Sequence, residues 1–182
     1  MGDYDLVSSE VVYEGRIIRV LRDVIRLPNG RDAVREVVRR ADGACVLPVL
    51  EDGRVVLVRQ YRHTLLDMVL EVPAGTVEPG EEHASCALRE LEEEAGYRAQ
   101  NLHFLTKICG SIGFCGELIY IYYATGLSAC QTNPDPEEFI EVELYSLEEA
   151  VEMVFDGRIV DAKTATAIMA YREVVRSQAA GS

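Results

Sequence analysis

Through the N-terminal part of the chain, short apolar groups rich in valine and isoleucine are separated by polar residues and bounded by turn residues, a pattern that predicts strands. Residues 7–13, 16–27 and 33–40 read as extended segments, with Pro28-Asn29-Gly30 turning the chain between the last two. This predicts an antiparallel hairpin system. A second β-rich part follows at 44–50, 54–60 and 68–72, divided by the Glu51-Asp52-Gly53 turn and stopped by Pro73. Between Pro79-Gly80 and Gly96 the pattern changes to strong helix formers, so residues 82–95 predict a helix that Gly96 closes with a left-handed cap. Residues 102–108, 118–124 and 139–145 predict three more strands, the last after a Pro- and Asp-containing loop at 131–138. Helical patterns at 147–155 and 162–175 close the chain. The order predicts an α/β fold on a mixed sheet.

Composition narrows the class. A chain of 182 residues with 48% hydrophobic and 27% charged residues suits a soluble globular protein with a substantial core. No apolar run is long enough for a membrane helix, and the first residues lack the blocks of a signal peptide, so a cytoplasmic location with no membrane partner is expected. The five cysteines, Cys45, Cys86, Cys109, Cys115 and Cys130, are odd in number and form no CxxC pair, which argues for free thiols over disulfides or zinc. A net charge of -13 would repel a polyanionic backbone, so no nucleic-acid partner is expected. A small phosphorylated substrate remains compatible if bound cations reverse the local sign.

The chemistry lies in residues 75–97. On a helix at about 100° per residue, Glu90, Glu93 and Glu94 fall on one face, and three carboxylates are expected to converge there. Leu88, Leu91 and Ala95 repeat the spacing on another side and can bury it. Two like charges about 4 Å apart repel by roughly 4 kcal/mol at an effective dielectric near 20, so the cluster calls for a cation. Carboxylates suit Mg²⁺ or Mn²⁺, and Mg²⁺ typically completes its shell with waters and substrate phosphates. A Glu-rich helix is ordinarily a solvated face. Here, however, the spacing is G-x5-E-x7-R-E-U-x-E-E-x-G-U, with U aliphatic or aromatic, filled by Gly75, Glu81, Arg89, Glu90, Leu91, Glu93, Glu94, Gly96 and Tyr97.

This pattern resembles the box of the Nudix hydrolases with no member missing. The resemblance implies an α/β/α sandwich and two or more Mg²⁺ or Mn²⁺ ions held by Glu90, Glu93 and Glu94, with the backbone carbonyl of Ala74 as a further ligand. It implies that Arg89 orients a helix glutamate by a salt bridge, that Glu81 braces the loop, and that Gly75 and Gly96 permit the loop turn and the helix end.

Outside the box, the sequences at 58–62 (Val-Arg-Gln-Tyr-Arg) and 70–75 (Leu-Glu-Val-Pro-Ala-Gly) resemble the ADP-ribose and nucleotide-sugar pyrophosphatases. That branch implies a homodimerisation element in residues 1–43 ahead of a hydrolase domain at 44–182. Residues 111–117 resemble the branch's Ser-Pro-Gly loop, which ends in a glutamate serving as general base or extra metal ligand. Glu117 fills that place, unless it is only a loop residue before a strand. Glu117, Glu93 and Arg89 are thus the candidate catalytic residues. Ile112 stands where the proline associated with ADP-ribose specificity is expected, which leaves GDP-mannose or a broad nucleotide-sugar range open. Arg62 and Glu71 are candidate substrate contacts, with a surface salt bridge as the equal alternative. His63, His83 and His103 have no metal-ligand spacing, and Tyr120, Tyr122 and Tyr123 suit core or dimer packing better than base stacking. The implied reaction is hydrolysis of a nucleoside diphosphate sugar to a nucleoside monophosphate and a sugar phosphate. A nucleoside triphosphate pyrophosphohydrolase and a non-catalytic nucleotide-sugar sensor are the competing readings.

Overall fold

The computed structural model describes residues 4–133, 137 and 139–181. Its elements, in chain order, are β1 (Asp5–Glu14), β2 (Arg19–Arg26), β3 (Asp32–Arg39), β4 (Gly43–Pro48), β5 (Val55–Arg62), β6 (Asp67–Glu71), β7 (Ala74–Thr76), α1 (His83–Ala95), β8 (Tyr97–Cys109), β9 (Leu118–Ala129), β10 (Ile140–Tyr145), α2 (Leu147–Phe155) and α3 (Ala162–Ala180). The contacts divide into two units, one holding the chain up to Asp42 with Cys109–Leu118, the other Gly43–Ile108 with the chain from Ile119 onward.

In the first unit, β1, β2 and β3 form an antiparallel sheet, with Arg26 opposite Asp32 across a turn that Gly30 completes at φ 80°. This is the expected hairpin system. Every residue of β1 is exposed.

In the second unit, β4 pairs with β9 in parallel and with β7 antiparallel, within the order β7-β4-β9-β8. A separate antiparallel sheet runs β10-β5-β6. The mixed pairing expected from the sequence is therefore present in the four-stranded sheet, beside a second sheet that is wholly antiparallel. β4 is buried along its whole length, as a strand covered on both faces must be. Its alternation feeds two cores. Cys45 and Leu47, with Val55, Leu57 and Ile121, pack with Leu147, Ala150 and Met153 of α2 and Ala167 and Ile168 of α3. Ala44 and Val46, with Val56, Val58, Tyr122 and Ala124, pack with Cys86, Ala87, Leu91 and Ala95 of α1. Helices on both faces of the strands make an α/β/α sandwich.

The departures from the sequence reading are local. β7 was not anticipated: three residues containing a glycine carry no periodic signal, and they form a strand only because Cys45, Ala44 and Gly43 pair with them. β8 starts at Tyr97, directly after the α1 cap, rather than near Leu102, and β9 runs on to Ala129. In the expected loop at 131–138, residues 134–136 and 138 lie outside the described residues. Among the described residues, no helix is long and apolar enough to cross a membrane.

Candidate active site

The site is built on α1 and the strand pair that leads into it. Gly96 takes φ 70°, and its N–H reaches back to the carbonyls of Leu91 and Glu92, ending the helix as a left-handed cap does. Cys86, Ala87, Leu91 and Ala95 are buried on one side, which fixes the rotation of the carboxylates.

Arg89 is the hub. Its Nε and Nη2 donate to Glu81 Oε1 and Oε2 at 3.0 and 3.2 Å, its Nη1 to Glu90 Oε1 at 2.6 Å and Glu93 Oε2 at 3.0 Å, and Nη2 also to the Thr76 carbonyl at 3.3 Å. A planar guanidinium is suited to such forked pairing. The hydrogen bonds to Glu81 above all raise the Arg89 pKa, and the same bonds hold the Glu81 carboxyl below its ordinary value. Glu81 in turn accepts from the Glu78 N–H at 2.9 Å, so one ion-pair system ties the 76–81 loop to α1.

The other two box features meet the strands. Glu94, 3% exposed, accepts from the Ala74 N–H at 2.8 Å through Oε2 and from Gln60 Nε2 at 3.4 Å through Oε1. Glu90 lies so close to Gly75 that a Cβ there would come within 1.8 Å of Glu90 Oε1. Glycine is needed here for close approach, since Gly75 is not among the positive-φ glycines. Burial raises the thiol pKa of nearby Cys86 to about 12, which makes it unreactive.

Glu90, Glu93 and Glu94 do share a helix region, but their oxygens do not converge on one point. Among the described residues, no three His, Cys, Asp or Glu side chains are grouped to hold a metal ion. The reason is electrostatic: Arg89 draws Glu90 and Glu93 toward itself, while the Ala74 amide and Gln60 hold Glu94. A cleft lined by Ser85, Leu88, Arg89, Glu92, Glu93, Gln131 and Asn133 runs along α1 beside this system.

Arg62 and Glu71 are brought together. Arg62 Nε and Nη2 donate to Glu71 Oε1 and Oε2 at 2.6 and 3.0 Å. Val58 stands opposite Glu71, so Gln60 and Arg62 share that face, and Gln60 links it to Glu94. Three residues not singled out from the sequence complete the cluster. Lys163 pairs with Glu71 and, at 3.1 Å, with Asp161. Asp161 caps α3 by accepting from Thr164 N–H at 2.9 Å. Thr164, fully buried, accepts from the Val72 N–H at 2.9 Å. The spacing of Asp161 and Thr164 is a legible cap signal. The partner of Lys163 is not legible.

Glu117 belongs to the first unit, where Arg40 Nε lies 3.2 Å from its carboxylate. Its loop is fastened locally: Ser111 O accepts from Phe114 N–H and Cys115 N–H at 3.0 and 2.8 Å, and Asp42 accepts from Leu118 N–H at 3.0 Å. Ile112 is 88% exposed. His83 stacks on Tyr120 and His103 on Tyr123, with ring centroids 3.5 and 4.7 Å apart, so both histidines serve packing as the sequence suggested.

The NUDIX domain profile matches residues 39–167, and the nucleoside diphosphate sugar hydrolase N-terminal domain profile matches residues 5–38. An ADP-ribose pyrophosphatase of Bacillus subtilis is 36% identical over 176 residues, covering 94% of this chain and 95% of that protein. A methanol dehydrogenase activator of Bacillus methanolicus is 36% identical over 164 residues, covering 89% of each. The fold matches a crystal structure described as an ADP compounds hydrolase with a TM-score of 0.87 at 24% identity, covering 98% of this chain and 97% of that one. With a complete box from Gly75 to Tyr97, about seven-tenths of its length matched by the domain profile, and a relative 36% identical over 94% of it, this chain belongs to the Nudix family.

Proposed function

We propose that the protein is a divalent-metal-dependent pyrophosphatase that cuts the diphosphate bond of a nucleoside diphosphate sugar, ADP-ribose or a relative, into a nucleoside monophosphate and a sugar phosphate. The observation that supports it best is the ion-pair system of Glu81, Arg89, Glu90 and Glu93, with Glu94 on the Ala74 amide, because it assembles the whole box on one loop and helix. The names of the relatives and the N-terminal profile point to the same substrate class.

The donor set suits a hard cation. Carboxylates of Glu90, Glu93 and Glu94 with the Ala74 carbonyl are oxygen ligands of the kind that Mg²⁺ or Mn²⁺ takes, and two or more ions would be shared among them. Bound there, such a cation neutralises charge on the diphosphate and lowers the pKa of a water. The protein's own part is positioning. Arg89 holds Glu90 and Glu93 on one guanidinium nitrogen, Glu81 fixes Arg89, Arg62 binds an anionic or ribose group, and Glu117 accepts the proton of the attacking water.

The reading includes a homodimer formed through the exposed β1 to β3 sheet and a cytoplasmic location, which suits five free cysteines. Sedimentation of the full chain as a monomer at assay concentration would remove the dimer. The central experiment is a panel of ADP-ribose, GDP-mannose, UDP-glucose and a nucleoside triphosphate with Mg²⁺ and with Mn²⁺, with products identified. Release of nucleoside monophosphate and sugar phosphate supports the reading. Inorganic pyrophosphate from the triphosphate alone, or no turnover, refutes it. Glu93→Gln, Glu94→Gln and Glu117→Gln are expected to abolish most turnover, and a near-parental rate in any one removes that residue's role.

A further inference from the structure

Lys163 sits where its own helix does not favour it. Asp161 is the N-cap of α3, so Lys163 stands in the first turn, where the positive end of the helix dipole opposes a cation. It is also largely buried, with its side chain 13% exposed, and an ammonium group is costly to remove from water. Glu71, 3% exposed, and Asp161 compensate it from two sides. Burial works against the charge on Lys163, but Asp161 and Glu71 more than offset this and raise its pKa.

The cluster of Arg62, Lys163, Glu71 and Asp161 is electrically balanced, yet it is not two separate pairs. Glu71 Oε2 accepts from both Arg62 Nη2 and Lys163 Nζ. A carboxylate shared this way divides its charge between two cations, and Lys163 has Asp161 besides. Lys163 is covered, whereas Arg62 is 38% exposed and holds Glu71 through Nε and Nη2, which leaves Nη1 outside the fork.

We propose that Lys163 is a positioning residue for substrate binding: by sharing Glu71 it leaves the Arg62 guanidinium fixed in place but incompletely neutralised, ready to bind an anionic group of the nucleotide sugar. Glu71 then acts through Arg62. The inference rests on the nucleotide-sugar reading above, and it adds a residue from the first turn of α3 to the binding machinery. The same turn is fastened beside the box loop through Thr164 and the Val72 amide, which keeps the three-residue chain of charges in register with Ala74 and Glu94.

The test compares wild type, Lys163→Gln, Lys163→Arg, Arg62→Gln and the double variant Arg62→Gln/Lys163→Gln. It uses steady-state kinetics on the best substrate of the panel and equilibrium binding of ADP-ribose in chelator. Lys163→Gln is expected to raise KM and weaken ADP-ribose binding about tenfold, the size of one hydrogen bond to a charged group, with kcat nearly unchanged. Lys163→Arg should restore most of the loss. In the Arg62→Gln background, removing Lys163 should change KM less than twofold or so, because the effect passes through Arg62. Full additivity of the two substitutions, or an unchanged KM and binding constant in a folded Lys163→Gln, overturns the proposal. If Lys163→Gln does not fold, Glu71→Gln/Lys163→Gln removes one charge of each sign and leaves the net charge of the cluster unchanged. A wild-type KM in that variant overturns the proposal as well. If wild type turns over no nucleotide sugar, the functional reading fails by itself, and the binding comparison still decides the role of Lys163, with absence of any binding counting against it.

Discussion

The Glu90 carboxylate occupies the space that a side chain on Gly75 would fill, with Oε1 1.8 Å from an ideal Cβ. The glycine of β7 and the glutamate of α1 are therefore a matched pair: one lacks a side chain so that the other can lie against the strand. The clash of a Cβ would be with the end of a flexible side chain, and the backbone at Gly75 accepts an L-residue. Glu90 would swing away at modest cost. Gly75→Ala is thus expected to lower stability by no more than about 2 kcal/mol, while activity falls about a hundredfold because a ligand carboxylate is misplaced by more than an ångström. Thermal unfolding and kcat/KM on the same preparation check this. Equal, small effects on both would show that the position of Glu90 is unimportant.

Arg89 carries the countercharge for Glu81, Glu90 and Glu93. Replacing it with Gln leaves three carboxylates near one another with no guanidinium between them. In chelator, Arg89→Gln is expected to unfold several degrees below wild type, roughly what a partly exposed network of this kind can contribute. Added Mg²⁺ should then raise its melting temperature more than it raises that of wild type, since the cation takes over the lost neutralisation. The same increment in both proteins would mean that the metal does not bind at these carboxylates.

Glu71 gives a pH signature. Burial pushes its carboxyl up, but the hydrogen bonds and charges of Arg62 and Lys163 outweigh that and hold it below the ordinary 4.5. A carboxylate with a depressed folded pKa adds stability that is present above its unfolded pKa and is lost as pH falls through the folded value. Lys163, raised above 10.5, contributes on the other side and loses its contribution only as pH rises beyond that. The cluster should therefore hold its stabilising effect from about pH 5 to about pH 10. Glu71→Gln should be much less stable than wild type at neutral pH, and the gap should close on acidification below pH 4 or so. Unfolding midpoints measured from neutral to acid pH test it, and a gap that stays constant contradicts the assigned shift.

These residues differ in how far the sequence revealed them. Glu90, Glu93 and Glu94 follow from helical spacing and Gly96 from its cap position, because both signals are local. The strands of the two cores were legible as short continuous apolar runs at 44–47 and 55–58, and the two-residue period of a strand sends their side chains alternately to the two cores. β7 and the start of β8 were not. Ala74–Thr76 is a strand only through pairing with β4, and residues 97–101 are largely polar and exposed, so neither carries a periodic hydrophobic signal. The resemblance implies one glutamate partner for Arg89 and the structure gives it three, because the geometry of a fork is not written in spacing. Nothing local in the sequence points to Lys163, since its partner Glu71 lies 92 residues away.

The loop at Ile112 tests substrate choice apart from chemistry. Ser111 O accepts from Phe114 N–H at 3.0 Å, so Ile112 is the second residue of a turn, the place where proline is favoured. Ile112 is 88% exposed and none of the hydrogen bonds of its turn uses its N–H. Ile112→Pro should leave the melting temperature within a degree or two, since proline at a compatible turn position is neutral or slightly stabilising. It restores the residue that the resemblance connects with ADP-ribose. The ratio of kcat/KM for ADP-ribose to that for GDP-mannose is accordingly expected to rise several-fold, with Glu117 still paired to Arg40 and the chemical step intact. An unchanged ratio in a fully stable variant would place the choice of sugar elsewhere, with Arg62 and the residues that hold it as the next position to vary.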